Sequence, residues 1–158
     1  MTVKLRNKHN DVLRVDIKVW VPAKKAYFKD TAIFDTGAYK TILDDRLAGL
    51  LHLTLGDRKT DTVTAAGAVS THSGELPRVY LGTKLIHNIP VNIMRLPDEL
   101  KTRCILGMNV LREFDISVSS YSGVVTLTPK PLPAKFYVDG YSISLASVED
   151  GESQTDEE

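Results

Sequence analysis

The residues of this chain best placed to do chemistry are an aspartate and a turn of small residues, fed by an apolar run. Thr31-Ala32-Ile33-Phe34 reads as a buried strand, and Asp35-Thr36-Gly37-Ala38 follows at once. An aspartate at the end of such a strand loses hydration unless its neighbours compensate. It has two uses. As a turn cap, its side chain accepts a bond from a backbone N–H a residue or two further on. As a catalytic carboxylate it deprotonates water, while Thr36 ties the turn to a partner turn and Gly37 lets backbone approach a substrate closely.

The catalytic use requires a second carboxylate. Cleaving an amide without a metal or a covalent intermediate needs a base for the water and an acid for the carbonyl oxygen, and two carboxylates sharing one proton supply both. Like charges about 3 Å apart cannot both ionise, so such a pair stays singly protonated over a useful pH range. The chain has one Asp-Thr-Gly. Asp57, Asp115 and Asp139 lack the succession of two apolar residues, Asp, hydroxyl residue and Gly. The second carboxylate therefore has to be Asp35 of a second copy, placed opposite the first by a two-fold axis.

The stretch Ile33-Phe34-Asp35-Thr36-Gly37-Ala38, with Thr41 and Leu43 beyond it, resembles the active-site loop of retropepsin-like aspartic proteases of the bacterial or viral type. Far downstream, Cys104-Ile105-Leu106-Gly107-Met108-Asn109-Val110-Leu111 is similar to that family's second signature, two aliphatic residues and a glycine followed by x-Asn/Asp-aliphatic-Leu. The resemblance runs from about Val15 to about Leu127. It implies a mainly β fold, a retropepsin-like closed barrel or sandwich with one or two short helices, acting as a symmetric homodimer. It also implies catalysis by Asp35, with Thr36, Gly37 and Ala38 forming the active-site loop. Thr36 would bond across to the partner's loop, and Thr41, Ile105, Leu106 and Gly107 would support it.

The turn Ala65-Ala66-Gly67-Ala68 falls where that family carries its flap, a hairpin that closes over bound peptide. Small residues there let backbone N–H groups reach a substrate, and closure excludes water. An ordinary hairpin tip has the same composition. The implied substrate is an extended peptide held by main-chain bonds with side chains alternating into pockets, usually apolar ones around the cut. One departure stands out. Viral members often pair an acidic residue after Asp-Thr-Gly-Ala with an Arg after the second glycine, where this chain has Tyr39 and Met108. Packing of the sulfur against the ring is the expected replacement.

The elements that must position these residues are mostly strands. Val12 to Trp20 alternates apolar and polar residues, as a half-buried strand does, and Val3–Arg6 is expected to pair with it. Asp44 to Leu51 opens with aspartates and carries apolar residues on one face, which predicts a short helix. Strands are expected over 60–64, 69–71, 78–81, 84–86, 91–94, 115–118 and 124–127, in the manner of a compact barrel or sandwich. Residues 1–129 read as the protease-like domain. Residues 130–146 form an extension with a stiff Pro-rich start and a candidate hairpin split by Asp139-Gly140. Residues 147–158 are acidic and poor in apolar residues, and disorder is expected there.

Composition narrows the classes. The chain has 158 residues, a one-domain length, with 20 Lys+Arg against 20 Asp+Glu and no net charge. No basic surplus points to nucleic acid or a membrane surface. The single cysteine, Cys104, excludes an internal disulfide and reads as a small buried apolar residue. His9, His52, His72 and His87 have no ligand spacing, so neither metal nor cofactor is expected. The first residues lack the apolar core of a signal peptide and no stretch is long enough to span a membrane, so a cytoplasmic location is expected. Two rival readings remain at this level. One is a non-catalytic dimeric module of the same fold that binds peptide or protein, and the other is a monomeric barrel in which Asp35 only caps a turn.

Overall fold

A computed structural model of the chain describes residues 3–6, 13–64, 67–119, 121–122, 124–130, 135–138 and 141–144. The elements are β1 (Val3–Arg6), β2 (Arg14–Val21), β3 (Ala26–Phe34), β4 (Thr41–Asp44), α1 (Asp45–Leu50), β5 (Arg58–Thr64), β6 (Gly67–Leu81) and β7 (Lys84–Met94). They continue as β8 (Cys104–Leu106), α2 (Met108–Leu111), β9 (Phe114–Ser119), β10 (Val124–Pro129), β11 (Lys135–Val138) and β12 (Tyr141–Ser144).

Seven strands form the main sheet in the order β2-β3-β8-β4-β7-β6-β5, and a further pairing of β2 with β6 closes six of them into a barrel. Closure is possible because β6 is long. Its residues 67–72 pair with β5, residues 79–81 pair with β2, and β7 runs along residues 72–81. Period-two patterning places the core: Val15, Ile17, Val19 and Val21 of β2 point inward while Asp16 and Lys18 face solvent. They meet Leu43, Leu81, Ile93 and Leu106, all nearly inaccessible to solvent. Burying each such side chain is worth roughly 1.5–3 kcal/mol.

Two expectations about strands are corrected. Val3–Arg6 does not pair with β2, because both edges of β2 are occupied, one by β3 and the other by β6. It pairs antiparallel with β10, which also pairs with β9. The short strands expected at 69–71 and 78–81 are one strand, as are those at 84–86 and 91–94. Within the first of these lies Gly74, where a Cβ would lie 2.5 Å from Ile93 Cδ1. Lys135–Val138 and Tyr141–Ser144 pair antiparallel as a separate two-stranded sheet, and the residues between them, Asp139 and Gly140, lie outside the described residues. So does the acidic segment 147–158.

The helix expected near residue 45 forms as α1. Asp44 caps it, accepting a bond from Arg46 N–H at 2.9 Å. Cys104 is fully buried, and burial, reinforced by the nearby Asp30 carboxylate, pushes its thiol up to about 12. It is a core residue rather than a reactive thiol. No helix among the described residues is long and apolar enough to cross a membrane.

Candidate active site

The turn that carries Asp35 is fixed by what lies on either side of it. β3 brings Ile33 and Phe34 into the core beside β8, in a parallel register of Ile33 with Ile105 and Phe34 with Leu106. Asp35 then donates its N–H to Leu106 O at 3.1 Å, so the last strand bond holds the aspartate itself. Its carboxylate is half-buried, and Oδ1 accepts a bond from Gly37 N–H at 2.8 Å. Among the described residues no cation pairs with it. One carboxylate oxygen thus orients the group, and the other has acceptor capacity to spare. Thr36 and Gly37 are exposed, so this face of the turn is open.

The second motif closes on the first through bonds between residues far apart in sequence. Ala38 O accepts from Met108 N–H at 2.7 Å, and Tyr39 O accepts from Asn109 N–H at 3.0 Å. Thr41 is completely buried, and its hydroxyl accepts from Gly107 N–H at 3.1 Å while donating to Asn109 Oδ1 at 2.9 Å. The same Oδ1 accepts from Thr41 N–H, and Asn109 Nδ2 donates to Pro90 O at 2.7 Å. Every polar atom in this junction that could be stranded by burial is paired.

Gly107 owes its identity to space. Its backbone is extended, which any residue could adopt, but a Cβ would sit 2.5 Å from the carbonyl carbon of Lys40 and 2.9 Å from Ala38 O. Only glycine lets the two motifs approach so closely. Leu106 is core, and Ile105 is partly buried between β3 and β4.

The structure therefore brings Asp35, Thr36, Gly37, Ala38, Thr41, Ile105, Leu106 and Gly107 into one locality. It also adds Asn109, whose side chain is the hub of the junction. The signal for Asn109 was its place in the second motif. Of the turn Ala65-Ala66-Gly67-Ala68, Ala65 and Ala66 lie outside the described residues, while Gly67 and Ala68 begin β6 opposite Thr64 and Val63. Tyr39 is 78% exposed, and the connection at that place runs through main-chain bonds to Ala38 and Tyr39. Among the described residues no three His, Cys, Asp or Glu side chains are grouped as metal ligands.

Comparison with known proteins agrees with this geometry. Residues 29–113, more than half of the chain, match the family described as "gag-polyprotein putative aspartyl protease". The chain belongs to this family of retropepsin-like aspartic proteases. Among solved structures, it is similar to a retropepsin-like aspartic protease from Rickettsia conorii, with 19% identity over 80% of this chain and 90% of that one, at a TM-score of 0.60. That likeness shows a shared fold. EIAV protease in complex with the inhibitor HBY-793 is also similar, at 17% identity and a TM-score of 0.47 over 67% of this chain and 90% of that one. Comparison by sequence with curated proteins finds no match.

Proposed function

We propose that this chain is an aspartic endopeptidase in which two Asp35 carboxylates, one from each protomer of a homodimer, activate a water molecule against a peptide bond. The observation that carries the reading is the state of Asp35. It is oriented by Gly37 N–H, has no cation beside it among the described residues, and sits on a turn that Thr41, Gly107 and Asn109 hold in place.

In this reading the ionised Asp35 takes a proton from water as the water oxygen attacks the carbonyl carbon. The protonated Asp35 of the other protomer gives its proton to the carbonyl oxygen. The tetrahedral intermediate then collapses: the carboxyl that took the water proton gives it to the amide nitrogen, the other carboxylate takes a proton back from a hydroxyl of the intermediate, and the C–N bond breaks, which restores the singly protonated pair. No cofactor takes part. One chain carries one Asp-Thr-Gly, so the site is complete only in a dimer. The exposed Thr36 is suited to bond across the two-fold axis, and an exposed loop with this chemistry is what a second copy would cover. The hairpin of β5 and β6, with its tip around Ala65–Ala68, acts as the flap over an extended peptide. We place the enzyme in the cytoplasm, with peptide or protein as its substrate and neither nucleic acid nor membrane as a partner.

The test is cleavage of a mixed peptide library from about pH 4 to 7 by the wild type and by Asp35→Asn, read by mass spectrometry. Cuts made by the wild type alone, and blocked by a statine-type transition-state mimic, are the expected outcome. Equal products from the two proteins, with both folded and dimeric, would overturn catalysis and leave a peptide-binding module.

A further inference from the structure

Beside the Asp35 turn lies a recess of about 410 Å³ whose wall is shared by the turn, Thr62 of β5 and Asn92 of β7. Gly37 and Ala38 form the side nearest the candidate dyad, and Ile42, half-buried on β4, gives an apolar patch within it. Beside Ile42, its register partner Asn92 of β7 donates from Nδ2 to Thr62 Oγ1 at 2.9 Å, and that hydroxyl lies 3.3 Å from Thr71 Oγ1. This part of the lining is therefore neutral and polar, already engaged with itself. Lys40 completes the lining, beside the exposed ring of Tyr39.

Charge distinguishes this recess. Among the described residues that line it, Lys40 is the one ionised group, and no carboxylate is among them. Lys40 is exposed and makes no ion pair among the described residues, unlike Lys84 and Lys130, which stand 3.8 and 3.6 Å from Glu113 and Asp115. A lone ammonium at the rim of a recess with an apolar patch suits a side chain with an apolar stem and an anionic end.

Resting on the protease reading above, we propose that this recess takes a carboxylate side chain of the substrate, glutamate before aspartate, and that Lys40 is the residue that selects it. The glutamate methylenes lie on Ile42 and the carboxylate meets Lys40 Nζ. When a peptide covers the groove, the pair loses solvent and its attraction strengthens. A basic side chain at the same place meets like charge. The general expectation of apolar residues around the cut therefore has an exception at this position.

The experiment uses matched peptides that differ by Glu, Gln or Lys at the position the library assigns to this recess. Cleavage is read as kcat/KM for the wild type, Lys40→Ala and Lys40→Glu. Binding of the same peptides to Asp35→Asn, and to Asp35→Asn carrying each Lys40 change, is read by fluorescence anisotropy. Expected are a preference for Glu over Gln on the order of tenfold in the wild type, its loss in Lys40→Ala, and a shift towards Lys in Lys40→Glu. Equal handling of Glu and Gln by the wild type, or a preference that survives Lys40→Glu, would overturn the proposal and leave the protease reading intact. Absence of Asp35-dependent cleavage, with a Glu preference in binding that vanishes in Lys40→Ala, would overturn the protease reading and support selection by Lys40. Absence of any Glu preference in both measurements overturns the proposal.

Discussion

Two aspartates end strands that flank β8 in this barrel, and their surroundings are opposite. Asp35 follows β3 and Asp44 closes β4, and each accepts a bond from the backbone N–H two residues on, Gly37 and Arg46 respectively. Asp44 is fully buried and saturated: besides Arg46 N–H it accepts from Arg46 Nε at 2.8 Å, Arg46 Nη2 at 3.0 Å and Leu96 N–H at 2.9 Å. Asp35 is half-buried, with one such bond and, among the described residues, no cation. A carboxylate with all its acceptor sites filled by its own chain can only hold structure. One with sites to spare can bind water and exchange a proton. The local sequence feature is the same, and the difference lies in what the rest of the fold brings to it.

Substitutions separate the two roles. Asp35→Asn has the largest expected effect on chemistry: peptide cleavage falls by at least roughly a thousandfold, because the amide cannot serve as a base. Its folding stability in urea changes by less than about 0.5 kcal/mol, since Oδ1 is still available to Gly37 N–H. A large loss of stability would show that Asp35 is structural in the same sense as Asp44.

Asp44→Asn should do the reverse, and its effect depends on pH. Burial alone would push the Asp44 carboxyl up, but the side-chain bonds from Arg46, the N–H groups of Leu96 and Arg46, and the Arg46 charge outweigh it. They hold the pKa at about 2 against an ordinary 3.8. The folded-state value lies below the unfolded one, so the ionised group adds stability above about pH 4 and loses it as pH falls towards 2. The contribution is roughly 2 kcal/mol at neutral pH. Urea melts of the wild type should therefore weaken across that acid window. Asp44→Asn should be less stable at pH 7 and less sensitive within the window, and equal acid sensitivity in the two proteins would contradict the account.

Gly107→Ala comes next, costing about 1–3 kcal/mol because the new methyl meets the Lys40 main chain and must push the two motifs apart. Cleavage should fall with it, since the turn carrying Asp35 is held by that approach. Thr41→Val, which strands Gly107 N–H, is expected to cost a similar amount, roughly 1–3 kcal/mol in thermal unfolding. Thr41→Ser should restore most of it, as the hydroxyl is kept. Equal melting of the Val and Ser variants would show that the junction does not depend on that hydroxyl.

Much of the positioning was legible because it is local. Alternation from Val12 to Trp20 announces a half-buried strand, observed as Arg14–Val21, and the apolar run before Asp35 announces the strand that delivers it. The two short motifs announced their own pairing only through resemblance, since nothing local links Thr41 to Gly107 or Asn109 across more than sixty residues. For the same reason Asn109 was seen as a motif letter and not as the hub of four bonds. Val3–Arg6 was paired with its neighbour in sequence, whereas closure of the barrel by β6 leaves β2 without a free edge. The strands expected at 69–71 and 78–81 join through Gly74, whose closeness to Ile93 of another strand no local pattern announces. Asp44 and Asp45 were read as a helix start, which is right, but the cage around Asp44 draws on Leu96 and so could not be read from that stretch.

The central claim is that the reactive unit contains two copies of Asp35, and mixing tests it most directly. Wild type and Asp35→Asn are unfolded together at equal amounts, refolded, and assayed at fixed total protein for the cleavage that the wild type performs. If each active site needs an intact Asp35 from both protomers, random pairing leaves about one quarter of the wild-type activity. Activity that remains at about one half means each intact chain works alone, and would contradict a site shared across a two-fold axis.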